Sequence, residues 1–282
     1  MKISEFLLLT TIRIETITPN GVCTGTGFFF SFLFDKNTGL SVPAIVTNKH
    51  VVKNAIRGTL RFSLKDDAGN PQWGTFYDLT VNEFEKHWIM HPEDSVDLCI
   101  MPIAYIHRLV DNNNIRLHYA SLTADDIPSE SELKDSYSRI EDITIVGYPD
   151  GIWDSANNMP IVRKGITATA LQLNFNNEPK FLVDAAIYGG SSGSPVYIFN
   201  QGSYSHANGG LIAGSRLKLV GIIYAVAQHT VTGDIKIVDI PVSRVPVVAT
   251  AIPNNLGVAI HARKLADFET ILKDIRCKQE EV

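Results

Sequence analysis

The 282-residue sequence predicts an all-β fold: two six-stranded antiparallel β-barrels followed by a C-terminal α-helix. Three observations carry that expectation. Short runs rich in β-branched and aromatic residues recur along the chain, bounded by Gly, Pro, Asn and Asp, and fall into two groups of about six. A polar stretch over residues 111–138, containing Asp111-Asn112-Asn113-Asn114 and an acid-serine cluster, separates the two groups as a crossover. Only at the end do apolar residues recur at helical intervals, at Leu265, Phe268, Leu272 and Ile275.

In the first group the expected strands are 7–17, 25–34, 44–47, 60–64, 77–82 and 98–103. The first begins in Phe6-Leu7-Leu8-Leu9, a run too short to span a membrane and with no small-residue cleavage site soon after it, and continues through Ile12, Ile14 and Ile17. The second group is 143–147, 165–173, 181–184, 195–199, 219–227 and 235–241. Residues 65–75 and 200–218 read as long hairpin insertions; the second carries four glycines among serines and would hang close to Ser192, as a surface loop or a lid. The expected division is a first barrel over 1–125, a second over 126–260 and the amphipathic helix over 261–282. The stripe of that helix is expected to dock on the second barrel; a regulatory partner would reach the protein through the helix or the 200–218 loop.

Composition narrows the function classes. The chain is 45% hydrophobic, enough to build sizeable cores, and its net charge of −5 is interspersed, which excludes a basic face for nucleic acid. Neither a membrane nor a nucleic acid is an expected partner. Cys23, Cys99 and Cys277 are too few and too scattered for a disulfide framework and favour a reducing, cytoplasmic location. Cys99, inside an apolar run, reads as a small buried hydrophobe. His87 and His91 stand at helical spacing without a third ligand cluster, so no metal and no cofactor is expected.

The motif of most chemical content is Gly190-Ser191-Ser192-Gly193-Ser194-Pro195. A serine hydroxyl is a weak nucleophile at neutral pH and needs a base to take its proton and a third group to orient that base. His50 closes the apolar run 44–52, and Asp97 opens the apolar run beginning at Leu98. The order histidine, aspartate, serine is that of one of the three known chain orders of the serine triad. Two local alternatives stand beside it. Gly189-Gly190-Ser191-Ser192-Gly193 also fits a nucleophile elbow with Ser191 as nucleophile, but that motif needs a helix next, and Pro195-Val196-Tyr197-Ile198-Phe199 favours a strand. Asp94, in the polar turn 91–94, is the other candidate acid.

Taken with Gly25-Thr26-Gly27-Phe28, the run 46–52, Asp97-Leu98, Asp184-Ala185-Ala186-Ile187 and Leu219-Val220-Gly221-Ile222, the chain resembles the trypsin-like serine proteases over residues 21–261, and within them the bacterial HtrA-type protease domain, without a PDZ module. The resemblance implies a serine endopeptidase that works through an acyl-enzyme, with Ser192 as nucleophile, His50 as base and Asp97 as its partner. It also implies an oxyanion hole from the backbone N–H groups of Gly190 and Ser192. Gly189 beside Gly190 makes a flipped peptide accessible, so the hole is expected to switch off reversibly.

Ala186 then stands at the floor of the primary pocket, with Ile187 and Val226 as apolar neighbours, and small or medium aliphatic residues are expected at the cleavage position. Tyr224-Ala225-Val226 would pair with a protein or peptide substrate as an added extended strand. In zymogen-type relatives the residue before the nucleophile is an aspartate that pairs with a newly cut N-terminal amine; here it is Ser191, so activity is expected without N-terminal cleavage. The competing expectations are an inactive pseudoprotease that binds peptides in the same cleft, and an ester or thioester hydrolase on the same barrels.

Overall fold

The computed structural model describes residues 2–231 and 250–280. The first half is a sheet built from β1 (Thr11–Thr18), β2 (Gly21–Phe32), β3 (Val42–Thr47), β4 (Arg57–Lys65), β5 (Pro71–Asn82), β6 (Ile89–Met90), β7 (Cys99–Pro102) and β8 (Leu117–His118). The second half holds β9 (Asp142–Gly147), β10 (Ile161–Thr167), β11 (Lys180–Ala185), β12 (Pro195–Asn200), a hairpin of β13 (Ser203–Ser205) and β14 (Leu211–Ala213), β15 (Arg216–Val231) and β16 (Thr250–His261). Helices are α1 (Ile3–Leu9), the single turn α2 (Lys49–Val52), α3 (Ala104–Asp111), α4 (Glu130–Ser136) and α5 (Asp267–Glu280).

One of the two expected barrels closes. In the second half the strands ring in the order β10-β11-β16-β15-β12-β9. The first half stays open, ordered β5-β4-β1-β2-β3-β7-β6 with β8 beside β4. Its would-be closing strand β6 has two residues, enough for its ladder to β7 and too few to bond a second neighbour. Side chains fill the seam instead: Phe84 is fully buried, stands edge-on to Trp88 at 5.6 Å and covers Gly58 so closely that any side chain there would meet its ring.

Strand β2 lies between the two halves and is buried on both faces. Alternation along the pleat sends Phe28, Phe30 and Phe32 into a core shared with Val146, Tyr197, Ile222 and Ile260 of the second half. Phe29 points the other way, among Ile12, Ile14, Ile45, Leu60 and Phe62. The interior of the closed barrel is a third cluster around Ile145, Phe181, Val183 and Val196.

Several expectations are corrected. The N-terminal apolar run is helix α1, not strand: Lys2 N donates to Glu5 Oε2 at 3.1 Å at its start, and the Thr10 hydroxyl donates to Leu7 O at 2.7 Å at its end. The sixth barrel strand is β16, not 235–241; Asn255 absorbs its irregularity at φ 62°. The expected strand 235–241 lies outside the described residues. The 111–138 crossover contains β8 and α4, the latter started by Ser129 capping Glu132 N at 3.1 Å. The 65–75 insertion is shorter than expected, since β5 already begins at Pro71.

Helix α5 buries Phe268 and Leu272 of the expected stripe, leaves Ile275 exposed, and docks on the first half as well as on the second. Phe268 is fully buried against Phe32 (6.0 Å, edge-on) and against the ring of His91, whose Nε2 stands 3.2 Å from Asp267 Oδ2. Leu265 and Leu272 enter the shared core, so the helix straps the halves together. The 200–218 insertion leaves the β12–β15 ladder at Asn200 and Arg216, five residues along the strand from Pro195 and therefore roughly 17 Å from the nucleophile end. That distance favours the surface-loop reading of the insertion over the lid.

A buried histidine makes stability depend on acid. His261 is 2% exposed, lies 5.0 Å from the Phe181 ring and places Nε2 3.3 Å from Leu173 O. Burial, then the charge of Arg263, push its pKa from 6.5 down to about 4. The unfolded chain therefore takes up this proton first as pH falls. Stability is whole above pH 6.5 and declines toward pH 4, by about 3 kcal/mol for a group displaced this far. Thermal unfolding across this range should show the decline, and His261→Phe should flatten it; an unchanged slope would remove His261 as its source.

Candidate active site

His50 sits in the one-turn helix α2, immediately after β3, rather than at the strand end. The turn is anchored because Val51 and Val52 are buried, while Asn48 Nδ2 bonds Asp97 O at 2.7 Å. Asp97 lies in the turn before β7, whose ladder to β3 brings Thr47 opposite Cys99. These two links place the imidazole on the carboxylate. His50 Nδ1 and Asp97 Oδ2 are 2.5 Å apart, and His50 N donates to Asp97 Oδ1 at 3.1 Å.

Burial alone would raise the Asp97 pKa, but the His50 ring bond, its charge and backbone bonds from His50 and Lys49 outweigh it and hold the carboxyl below the usual value. An ionised acceptor at Nδ1 leaves the other ring nitrogen as the basic one. Asp94, the alternative acid, has no bond to the His50 ring among the described residues.

Ser192 belongs to the other half, on the loop between β11 and β12, yet its loop is bonded to the wall behind His50. Thr26 N donates to Ser192 O at 2.9 Å, Thr26 Oγ1 donates to Gly190 O at 3.1 Å, and Tyr148 N donates to Thr26 Oγ1 at 3.0 Å. Thr47, three residues before His50, donates its hydroxyl to Thr26 O at 2.7 Å. On the β15 side, Gly193 N donates to Ile223 O at 2.7 Å and Ile223 N to Ser194 O at 2.9 Å. Ser192 is half-buried, whereas Ser191 and Ser194 are fully buried. Burial turns the elbow candidate Ser191 inward, away from any substrate.

Gly193 makes this seam possible. It has φ 85°, and a Cβ there would lie 1.9 Å from Thr26 O and 2.4 Å from Thr47 Oγ1. Gly193→Ala should therefore displace the loop, lower stability by about 2–4 kcal/mol and abolish the activity. Thermal unfolding checks this, and a wild-type melting temperature would contradict the close approach.

The two backbone donors expected at the oxyanion hole, the N–H groups of Gly190 and Ser192, belong to this loop. Gly189 O accepts the Asp150 N–H at 2.5 Å, and since a trans peptide points its N–H opposite its C=O, the Gly190 N–H is turned away from Asp150. Gly190 reaches this shape at φ 75°. Among the described residues neither the Gly190 nor the Ser192 N–H has an internal acceptor.

The remaining predicted residues divide. Ala186 is exposed on the loop, and its carbonyl is bonded by Arg163. Ile187 is a correction: its side chain, 1% exposed, fills the barrel interior against Gly257 and does not line an open pocket. Strand β12 reaches along β15 only as far as Ile222, so past Ile223 the β15 edge facing the loop has no strand partner among the described residues; Tyr224 and Ala225 lie on it half-buried. Of Val226 the backbone pairing to Gly257 is described.

Sequence reasoning missed Thr26, Thr47 and Arg163. Thr26 lies in a string singled out for its glycines. Arg163 alternates with exposed Val162 and Lys164 on β10 and so lies on the face of Ile161 and Gly165; because the apolar Val162 and Ile166 fall on the exposed face, no hydrophobic alternation in the sequence marks it.

The profile of the trypsin-like peptidase domain matches residues 25–203. No curated protein matches the chain. Among solved structures it is similar to the active form of the Rv3671c protease from M. tuberculosis, with 14% identity over 94% of this chain and 80% of that one and a TM-score of 0.44. It is also similar to the HtrA-type protease AlgW with tripeptide (14% identity, 92% and 58%, TM-score 0.44) and to the serine endoprotease from Yersinia pestis (15% identity, 79% and 56%, TM-score 0.40). The chain thus spans less than two thirds of the length of the last two. The matched stretch starts at Gly25 on the wall strand and runs past Ser192, taking in His50, Asp97, Arg163 and the 186–193 loop, and on that match the chain belongs to the trypsin-like peptidase family, as a serine endopeptidase.

Proposed function

We propose that Ser192, His50 and Asp97 form the catalytic triad and that the enzyme hydrolyses extended peptides through an acyl-enzyme. The observation that carries this reading is the seam at Thr26: one residue bonds both the Ser192 carbonyl and the Gly190 carbonyl, and its own carbonyl accepts the hydroxyl of Thr47, next to the His50–Asp97 pair. His50 takes the Ser192 proton as Oγ bonds to the scissile carbonyl carbon. The resulting oxyanion is met by the Gly190 and Ser192 N–H groups, an interaction worth several kcal/mol in transition-state stabilisation. His50 then protonates the leaving amine, and water, activated by the same ring, hydrolyses the ester.

The open β15 edge at Tyr224 and Ala225 supports an added antiparallel substrate strand. Ala186 supports small or medium aliphatic residues at the cleavage position. Three unpaired cysteines support a cytoplasmic setting. The bond from Asp150 N to Gly189 O supports the open form of the oxyanion hole, and a flip of the 189–190 peptide would close it.

Fluorophosphonate labelling tests the mechanism. The full chain should be labelled at Ser192 without prior trimming, and His50→Ala should lose the label. Labelling elsewhere, or none, would overturn the assignment. A peptide library read for cleavage position should return aliphatic residues; a basic preference would refute the role given to Ala186.

A further inference from the structure

The loop that carries the nucleophile is held from below by a cation of the protein's own. Arg163, on the inward face of β10, directs Nη1 to Ala186 O at 3.0 Å and to Ser191 Oγ at 2.7 Å. One guanidinium nitrogen thus ties the start of the 186–192 loop to the residue before the nucleophile. Ser191 Oγ also accepts the Tyr188 N–H at 3.4 Å, which draws the middle of the loop to the same point. Because Ser191 is fully buried on these bonds, the next residue, Ser192, is turned outward.

This arrangement is expensive unless it does something. Arg163 Nε and Nη2 are buried without a partner, and such donors cost free energy that an apolar side chain would not. Asp150 acts on Arg163 through space, raising its pKa, and Arg163 makes no ion pair among the described residues. Burial lowers the Arg163 pKa to about 10, so the group keeps its charge at neutral pH.

We infer that Arg163 is a positioning residue that holds the 186–192 loop in its catalytic shape, doing from within the barrel what a cleaved N-terminal amine does in zymogen-type relatives. The inference rests on Ser192 being the nucleophile. It gives the expected independence from N-terminal cleavage a physical cause: the cation is built into a strand and is present as soon as the barrel closes. It also explains why position 191 tolerates a neutral serine. A guanidinium can hydrogen-bond a hydroxyl and a carbonyl together, so no carboxylate is needed to fix the loop.

Steady-state kinetics and the rate of fluorophosphonate labelling, measured on the full chain beside its thermal stability, test this. Arg163→Met should lower kcat and the labelling rate by about 10- to 100-fold while KM moves less than about twofold, since the loop acts on the transition state. Arg163→Lys should recover part of the loss. Ser191→Ala removes the acceptor without disturbing the buried charge and should reproduce a smaller loss in kcat. Ser191→Asp should be active beside Arg163, yet should be more damaging than the sum of single effects when combined with Arg163→Met, because its carboxylate is then left unpaired.

A wild type that labels at Ser192 and an Arg163→Met variant, or a Ser191→Ala variant should Arg163→Met not fold, that labels equally fast would overturn the inference and leave the nucleophile standing. A wild type that does not label at Ser192 overturns both.

Discussion

Replacing Ser192 by alanine is expected to lower kcat by about 10⁶-fold while leaving the melting temperature near that of the wild type. The side chain is half-buried and its hydroxyl makes no hydrogen bond among the described residues, so its loss removes chemistry and little packing. The backbone bonds that fix the loop, from Thr26 N to Ser192 O and from Gly193 N to Ile223 O, do not involve the hydroxyl and survive the change. His50→Ala should lose a comparable factor, and the double variant should be no worse than either single one, because a nucleophile and its base act as one unit. Turnover of an extended peptide measured for all three proteins decides the matter. Additive losses would mean that the two residues work separately.

Asp97→Asn is expected to drop kcat by about 10⁴-fold, again without unfolding the protein. The amide is nearly isosteric, and its oxygen can still accept the His50 backbone N–H now held at 3.1 Å. What changes is the ring. An ionised carboxylate only accepts, so Nδ1 must carry the proton and the other nitrogen is free to take one from Ser192. An asparagine can donate to Nδ1, which stabilises the opposite tautomer and leaves the nitrogen facing the serine without a lone pair to offer. Because the wild-type Asp97 carboxyl is held below the usual value, protonation of Asp97 should not imitate this variant until pH falls below the usual aspartate value. Activity profiles against pH, run on both proteins, measure the contrast. A variant retaining more than about a tenth of wild-type turnover would assign the acid role elsewhere.

Much of this site was legible in the residues. Gly190-Ser191-Ser192-Gly193-Ser194-Pro195 marked the loop of the proposed nucleophile, and short-range patterning marked the strands around it. The closed barrel came out as expected except for its sixth strand and for β10, which runs Ile161–Thr167 where 165–173 was expected; the other four members are short apolar runs bounded by turn residues. The first half escaped because closure depends on one edge: β6 has two residues, and nothing local states that Phe84 and Trp88 will pack into the gap in place of a ladder. Ile187 was read as a pocket residue by its nearness in sequence to Ala186, but successive residues face opposite ways, and its turn is inward. Helix α5 showed its stripe and not its destination; Phe32 and His91, which receive Phe268, come from elements more than 170 residues earlier.

By itself the sequence determined which chemical groups the protein owns and the local shapes that hold them: a serine between glycines, a histidine after an apolar run and an aspartate before one. Whether those groups meet was decided by the tertiary structure. The bonds that join them run between Thr26 and Ser192, Thr47 and Thr26, and Arg163 and Ser191, and each depends on strands from different parts of the chain already being paired. A short hydrogen bond senses displacements of a few tenths of an ångström, and no composition, period or motif encodes position to that precision.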